Sequence, residues 1–202
     1  MAHLIDSHSV GFPGLVVMML AFLLFFIALV AARGRSSGAD AAPEKQRRSS
    51  TSIIGILVQM LGFVAVGIGP IRIALASGSP LAIGEGAAIA ALMAFALGMF
   101  LAASRAMGRN WSLVARTRSD HDLVTWGPFA MVRHPIYVAL FTYMLALALA
   151  FGHWRGLILG VPLFALGTWL RITQEEKLLR AQFGEAYDAY ARRVKRFVPG
   201  VF

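Results

Sequence analysis

Two short clusters in this 202-residue chain carry side chains able to do chemistry. The first is Arg133-His134-Pro135-Ile136-Tyr137, at the mouth of the apolar run IYVALFTYMLALALAF. The second is Arg171, Glu175 and Glu176, where another apolar run gives way to charge. Pro135 suits the first turn of a helix, because its missing N–H is one that a helix start leaves unbonded anyway. The residue before a proline is pushed out of helical geometry, so the His134 imidazole can project sideways. N–H groups at such a helix start favour an anion or carboxylate. Tyr137, one turn in, directs its hydroxyl back to the same place. Arg171 and Glu175 are four apart and share one helical face. A plainer reading stands beside this one. Arg133 and His134 would then be interfacial anchors, Tyr137 an aromatic-belt residue, and Arg171–Glu175 an ordinary weak ion pair. The residue types alone leave both readings open.

The elements that must position these clusters are membrane helices. The chain is 58% hydrophobic and 14% charged, with a mean hydropathy of +0.69. Its apolar residues come in unbroken blocks, unlike the one-faced pattern of a soluble domain. About 20 apolar residues cross the hydrocarbon core, and five blocks qualify. They run over Phe12–Ala32, Ile53–Ile71, Gly86–Ser104, Ile136–Gly152 and Gly156–Leu170. Gly69-Pro70 should kink or end the second. The fifth is short alone and is expected to continue helically into the charged segment beyond. The first block lacks a basic flank before it and is long enough to span, so it reads as a retained helix.

Of the 19 Lys and Arg residues, all but Arg72 and Arg155 fall on one side of such a five-span arrangement. The positive-inside rule then puts the N-terminus outside and the C-terminus in the cytosol. Richness in Ala, Gly and Arg suggests a GC-rich bacterial genome and hence an inner membrane. The net charge of +9 is accounted for by topology and anionic headgroups, and nucleic acid is not indicated. The expected fold is all-α, a polytopic membrane protein of about five transmembrane helices plus an amphipathic cytosolic C-terminal helix. It is a single domain over 1–202. Three N-terminal spans (1–104, with a basic loop over 33–52) precede a catalytic part (105–202). In the tail, Phe183, Tyr187, Tyr190 and Val194 share a face, and Gly184 is expected to divide it into two helices.

Several chemistries are excluded or unsupported. There is no cysteine, so no disulfide, thiolate metal site or cysteine nucleophile. His121 and His134 lack partners at zinc spacing, and no metal is expected. GIGP and GEGAA are not a dinucleotide fingerprint, and no GxSxG elbow occurs.

HDLVTWGPFAMVRHPIYVALF, followed some thirty residues later by RITQEEKLLRAQFGEAYDAY, resembles the isoprenylcysteine carboxyl methyltransferase family and its phospholipid methyltransferase relatives. The resemblance runs from about Trp111 to the C-terminus. It implies a membrane enzyme using S-adenosylmethionine without a Rossmann fold. It casts His121, Asp122, Leu123, Val124, Phe129, His134, Pro135, Ile136 and Tyr137 as cofactor contacts, with Glu175 facing the cofactor and Arg171 facing the substrate. Phe129 stands where the family usually has tyrosine, and Ala139 where it usually has glycine. The implied acceptor is lipid-like or prenylated, a prenylcysteine carboxylate first, with a phospholipid amine or small thiol as the alternative. An NADPH-dependent reductase of the sterol-reductase type and a non-catalytic scaffold protein stay open as other classes.

Overall fold

A computed structural model describes residues 9–37, 50–108 and 122–201. Six helices dominate: α1 (Phe12–Ser37), α2 (Ser50–Gly67), α3 (Pro80–Met107), α4 (Pro135–Phe151), α5 (Leu157–Phe183) and α6 (Glu185–Arg193). The five apolar blocks of the sequence become α1 to α5. Three of them, α1, α3 and the segment Trp154–Phe183, are long and apolar enough to cross a membrane. The other two are apolar but shorter, at 18 residues for α2 and 17 for α4, so composition alone establishes three spans rather than five. Their outer surfaces carry exposed Leu, Ile and Phe side chains, such as Leu20, Phe26, Leu57 and Ile158. An apolar exterior of this extent is the construction of a membrane protein.

The departure from an all-helical chain is small. β1 (Ser9–Gly11) and β2 (Arg72–Leu75) form a two-stranded parallel pair. They flank the start of α1 and follow the end of α2, and pairing satisfies backbone groups that would otherwise lie bare beside the apolar bundle. Glu85, in the GEGAA stretch, accepts a 2.8 Å hydrogen bond from the Gly11 N–H and ties α3 to the same end. At this end His153, in the connection between α4 and α5, is buried, its ring nitrogens 2.9 Å from the Val66 oxygen and 3.3 Å from that of Pro70.

Packing divides the bundle. α3 lies against α1 and α4, while α2 runs along most of α5; α4 and α5 touch little although they are consecutive. Phe25, Ala28, Ala32, Phe100 and Ala139 fill the first group. Val66, Met144, Ala148 and Phe164 join the second group to α4. The α2–α5 contact rests on glycines two turns apart, Gly55 and Gly62 facing Gly167 and Gly160. A Cβ at Gly167 would stand 2.6 Å from the Gly55 oxygen and 2.7 Å from Cγ of Gln59. Backbones that close in lipid gain dispersion contacts that larger residues forbid. Gly167→Ala should therefore force the helices apart and cost about 1–3 kcal/mol, read as a lowered melting temperature in detergent. Unchanged melting would refute the tight contact.

α5 continues through Pro162 into the charged segment, as its short apolar block required. It stops at Gly184, whose φ of +50° lies in the region where a Cβ is strained. α6 then folds back, burying Tyr187 and Tyr190, while Phe183 and Val194 are half-buried.

Candidate active site

The two clusters meet where α4 begins and the charged half of α5 passes. His134 caps α4 with φ −127° and ψ 58°, outside helical geometry, and Pro135 takes the first turn. Its imidazole is stretched between two carboxylates. Nε2 lies 3.1 Å from Glu176 Oε1, and Nδ1 lies 3.8 Å from Glu175 Oε2. The Tyr137 hydroxyl donates to Glu175 Oε1. Arg171 approaches the same carboxylate, NH2 to Oε1 at 3.8 Å, with its guanidinium 5.1 Å from the Tyr137 ring centre. His134, Tyr137, Arg171 and Glu175 thus form one constellation.

The adjacent glutamates differ. The Glu175 side chain remains 25% exposed, whereas that of Glu176 is 6% exposed. Glu176 accepts two hydrogen bonds from Arg196, Nε to Oε1 at 3.0 Å and NH2 to Oε2 at 2.8 Å. Arg133 NH1 lies 3.1 Å from its Oε1. Burial of a carboxylate is tolerable only with such a set of partners. Arg133 is therefore an internal partner of Glu176, and its NH1 also donates to the Tyr187 hydroxyl at 3.3 Å. Hydrogen bonding to Glu176 raises the Arg196 pKa. Burial pushes the Tyr187 and Tyr190 phenols up as well, so both stay protonated. Tyr190 donates to the Phe129 oxygen at 2.7 Å.

Backbone bonds seal the arrangement. The Arg133 N–H donates to the Lys195 oxygen at 2.8 Å, and that of His134 to the Arg196 oxygen at 3.1 Å. The segment after α6 is thereby strapped beneath the start of α4, as the parallel bridge Val132–Lys195 records.

Other expected cofactor contacts are placed differently. His121 lies outside the described residues. Asp122 is exposed, and Leu123, Val124 and Phe129 are half-buried in the approach to α4. Pro135 is sealed. Ile136 packs against the cluster of Phe25 and Phe100, which also holds Ala139. Sequence reasoning placed Glu176 in the second cluster without its role as the buried hub, and it missed Arg196 and Gln59 of α2. The Gln59 oxygen accepts from Arg171 NH1 at 3.0 Å. A lone amide inside the run IIGILVQMLGFVAVG was the available signal, because a polar side chain there needs a partner.

Residues 88–181 match the model of the isoprenylcysteine carboxyl methyltransferase family. Over these residues the chain is similar to that family. A protein-S-isoprenylcysteine O-methyltransferase of Schizosaccharomyces pombe is 37% identical over 111 residues, 51% of this chain and 45% of the relative. One from Tribolium castaneum is 34% identical over 85 residues, 40% of this chain and 29% of the relative. The nickel-cobalt-cadmium resistance protein NccN of Alcaligenes xylosoxydans xylosoxydans is 37% identical over 105 residues, 51% of this chain and 48% of the relative. The chain thus spans less than half the length of these relatives. The matched segment contains His134, Tyr137, Arg171, Glu175 and Glu176, whereas Gln59 and Arg196 lie outside it.

Proposed function

We propose that the protein is an S-adenosylmethionine-dependent membrane methyltransferase whose acceptor is an amphipathic carboxylate of the prenylcysteine type. The observation that carries this is the grouping of His134, Tyr137, Arg171 and Glu175 at one helix mouth, within the segment that matches the family. The donor set fits a cationic, hydroxyl-bearing cofactor. Glu175 keeps exposed carboxylate surface between an imidazole, a phenol and a guanidinium, and it can face a positive group or accept from hydroxyls. His134, Tyr137 and Glu175 would hold the cofactor, with Leu123, Val124 and Phe129 supplying apolar surface from the approach to α4. When bound, it supplies an electrophilic methyl group on a sulfonium.

The protein's work is then positional. Arg171 presents a planar fork of donors that pairs with a carboxylate and would orient one acceptor oxygen for an in-line displacement. Tyr137 fixes the Glu175 carboxylate, and the apolar helix faces keep water from the reacting atoms. No base is needed, since a carboxylate acceptor arrives ionised.

We further propose five spans, with the N-terminus outside and the C-terminus cytosolic. α2 and α4, at about 27 and 25 Å, run beside the long helices, and the constellation sits at the start of α4 and the charged half of α5, where Arg133, Lys177, Arg180 and Arg196 lie. The acceptor's tail would enter sideways from the lipid. The likeness to a metal-resistance protein favours a bacterial setting, where the acceptor would be a lipid-like carboxylate other than a prenylated protein. Among the described residues no group of three His, Asp or Glu side chains is placed to hold a metal.

The test is S-adenosylhomocysteine binding by calorimetry. Wild type should bind saturably, and His134→Ala and Glu175→Ala should weaken binding by about 10- to 100-fold, the worth of a hydrogen bond to a charged group. No binding by folded wild type, in detergent and in nanodiscs, would sink the methyltransferase reading.

A further inference from the structure

Arg171 and Glu175 pose a physical puzzle. Opposite charges four residues apart on one helical face attract, and little exposed surface separates this pair from the protein interior. Here NH2 and Oε1 remain 3.8 Å apart. What restrains the guanidinium is visible on its other side, on a helix that the family match does not include.

Gln59 is 5% exposed and is the one amide in an apolar helix. Arginine is only a donor, so the oxygen of the Gln59 amide must face it, and Oε1 accepts from Arg171 NH1 at 3.0 Å. The amide nitrogen is thereby turned to Thr168 on α5, donating to its Oγ1 at 2.7 Å. Both ends of the amide are anchored, and the side chain has no rotamer freedom left to exchange. The glycines beneath it make the approach possible. A Cβ at Gly55 would meet Cγ of Arg171 at 2.6 Å, and one at Gly167 would meet Cγ of Gln59 at 2.7 Å. On the opposite side the Tyr137 ring faces the guanidinium, while the Tyr137 hydroxyl occupies the Glu175 oxygen that Arg171 would otherwise reach.

We propose that Gln59, with Thr168 behind it, is a positioning residue that sets the direction of the Arg171 guanidinium and prevents its collapse onto Glu175, so that it can receive an acceptor carboxylate. This rests on the proposed methyltransferase reading and adds to it a determinant of carboxylate selectivity on α2. Gln59 touches neither cofactor nor acceptor and acts through Arg171. Removing the amide while keeping the volume should let Arg171 close on Glu175, and the site should lose its preference for an anionic acceptor.

The experiment compares binding of N-acetyl-S-farnesylcysteine with that of its carboxamide in nanodiscs, for wild type, Gln59→Met and Thr168→Val. S-adenosylhomocysteine affinity is measured alongside. Wild type should prefer the carboxylate by at least about tenfold, the worth of one charge-assisted contact. Gln59→Met should reduce the preference to less than about threefold, and Thr168→Val to an intermediate value, with saturable S-adenosylhomocysteine binding retained in both. A purely structural role would lower melting temperatures and leave the preference intact. A preference retained in Gln59→Met overturns the proposal alone; if that variant fails to fold, a preference unchanged in Thr168→Val overturns it. A wild type that binds S-adenosylhomocysteine but shows no carboxylate preference overturns the carboxylate role of Arg171 together with this one. A wild type that does not bind S-adenosylhomocysteine removes the methyltransferase reading beneath both.

Discussion

Glu176→Ala should lose about 3–5 kcal/mol of stability, the cost of breaking a buried ion cluster by removing its centre. Arg133, His134 and Arg196 all converge on this carboxylate. The alanine variant leaves two guanidinium groups facing one another with no carboxylate between them. Glu176→Gln should be nearly as damaging, because the amide's NH2 would point at a donor. The strap over residues 195 and 196 should detach, freeing the backbone at Arg192, Arg193 and Lys195 for cleavage by trypsin. Glu175→Ala, one residue away, should melt near wild type while losing S-adenosylhomocysteine binding. Thermal melting, limited proteolysis and calorimetry on the two variants separate a structural carboxylate from a chemical one. If both variants melt and bind alike, the division of roles between the two glutamates is refuted.

The other large effect belongs to Arg171. Arg171→Leu should lower kcat/KM for a carboxylate acceptor by about 10²- to 10³-fold, as expected when two charge-assisted hydrogen bonds worth about 3–4 kcal/mol together are removed. Arg171→Lys should recover little. A compact ammonium cannot present the planar fork, nor can it keep the bond to Gln59 at the same reach. Cofactor-analogue binding should change by less than about threefold in either variant, since Glu175 retains the Tyr137 hydroxyl as its partner. Steady-state kinetics beside calorimetry decide the matter. Turnover of Arg171→Leu within threefold of wild type would remove this residue from the acceptor site.

The helices were legible because hydrophobic length is a property of the chain itself. The runs from Phe12 and from Gly156, and the break at Gly184, follow from composition and backbone freedom alone. The constellation was partly legible for a similar reason. Pro135 dictates the geometry of His134, and Arg171 and Glu175 share a helical face whatever surrounds them. The role of Glu176 escaped because its partners are distant in sequence. Position 176 meets residue 133 only when α5 lies beside the start of α4, and residue 196 only once α6 has folded back, and no local spacing encodes either. Gln59 escaped because one amide scarcely alters the hydropathy of its block. The β1–β2 pair escaped because it serves unsatisfied backbone groups, and side-chain pattern says little about those. Nothing in the sequence around His153 signals that the Val66 and Pro70 carbonyls would lie against its ring.

The strap also has a consequence for a shortened chain. A product that ends after α5 lacks residues 195 and 196, so Glu176 keeps Arg133 and His134 but loses the two hydrogen bonds from Arg196. The His134 N–H then has no Arg196 oxygen to hold it. Such a chain would carry both helices of the constellation and still lack the segment that fixes the entry to α4, so its hydropathy would look intact while its site would not be.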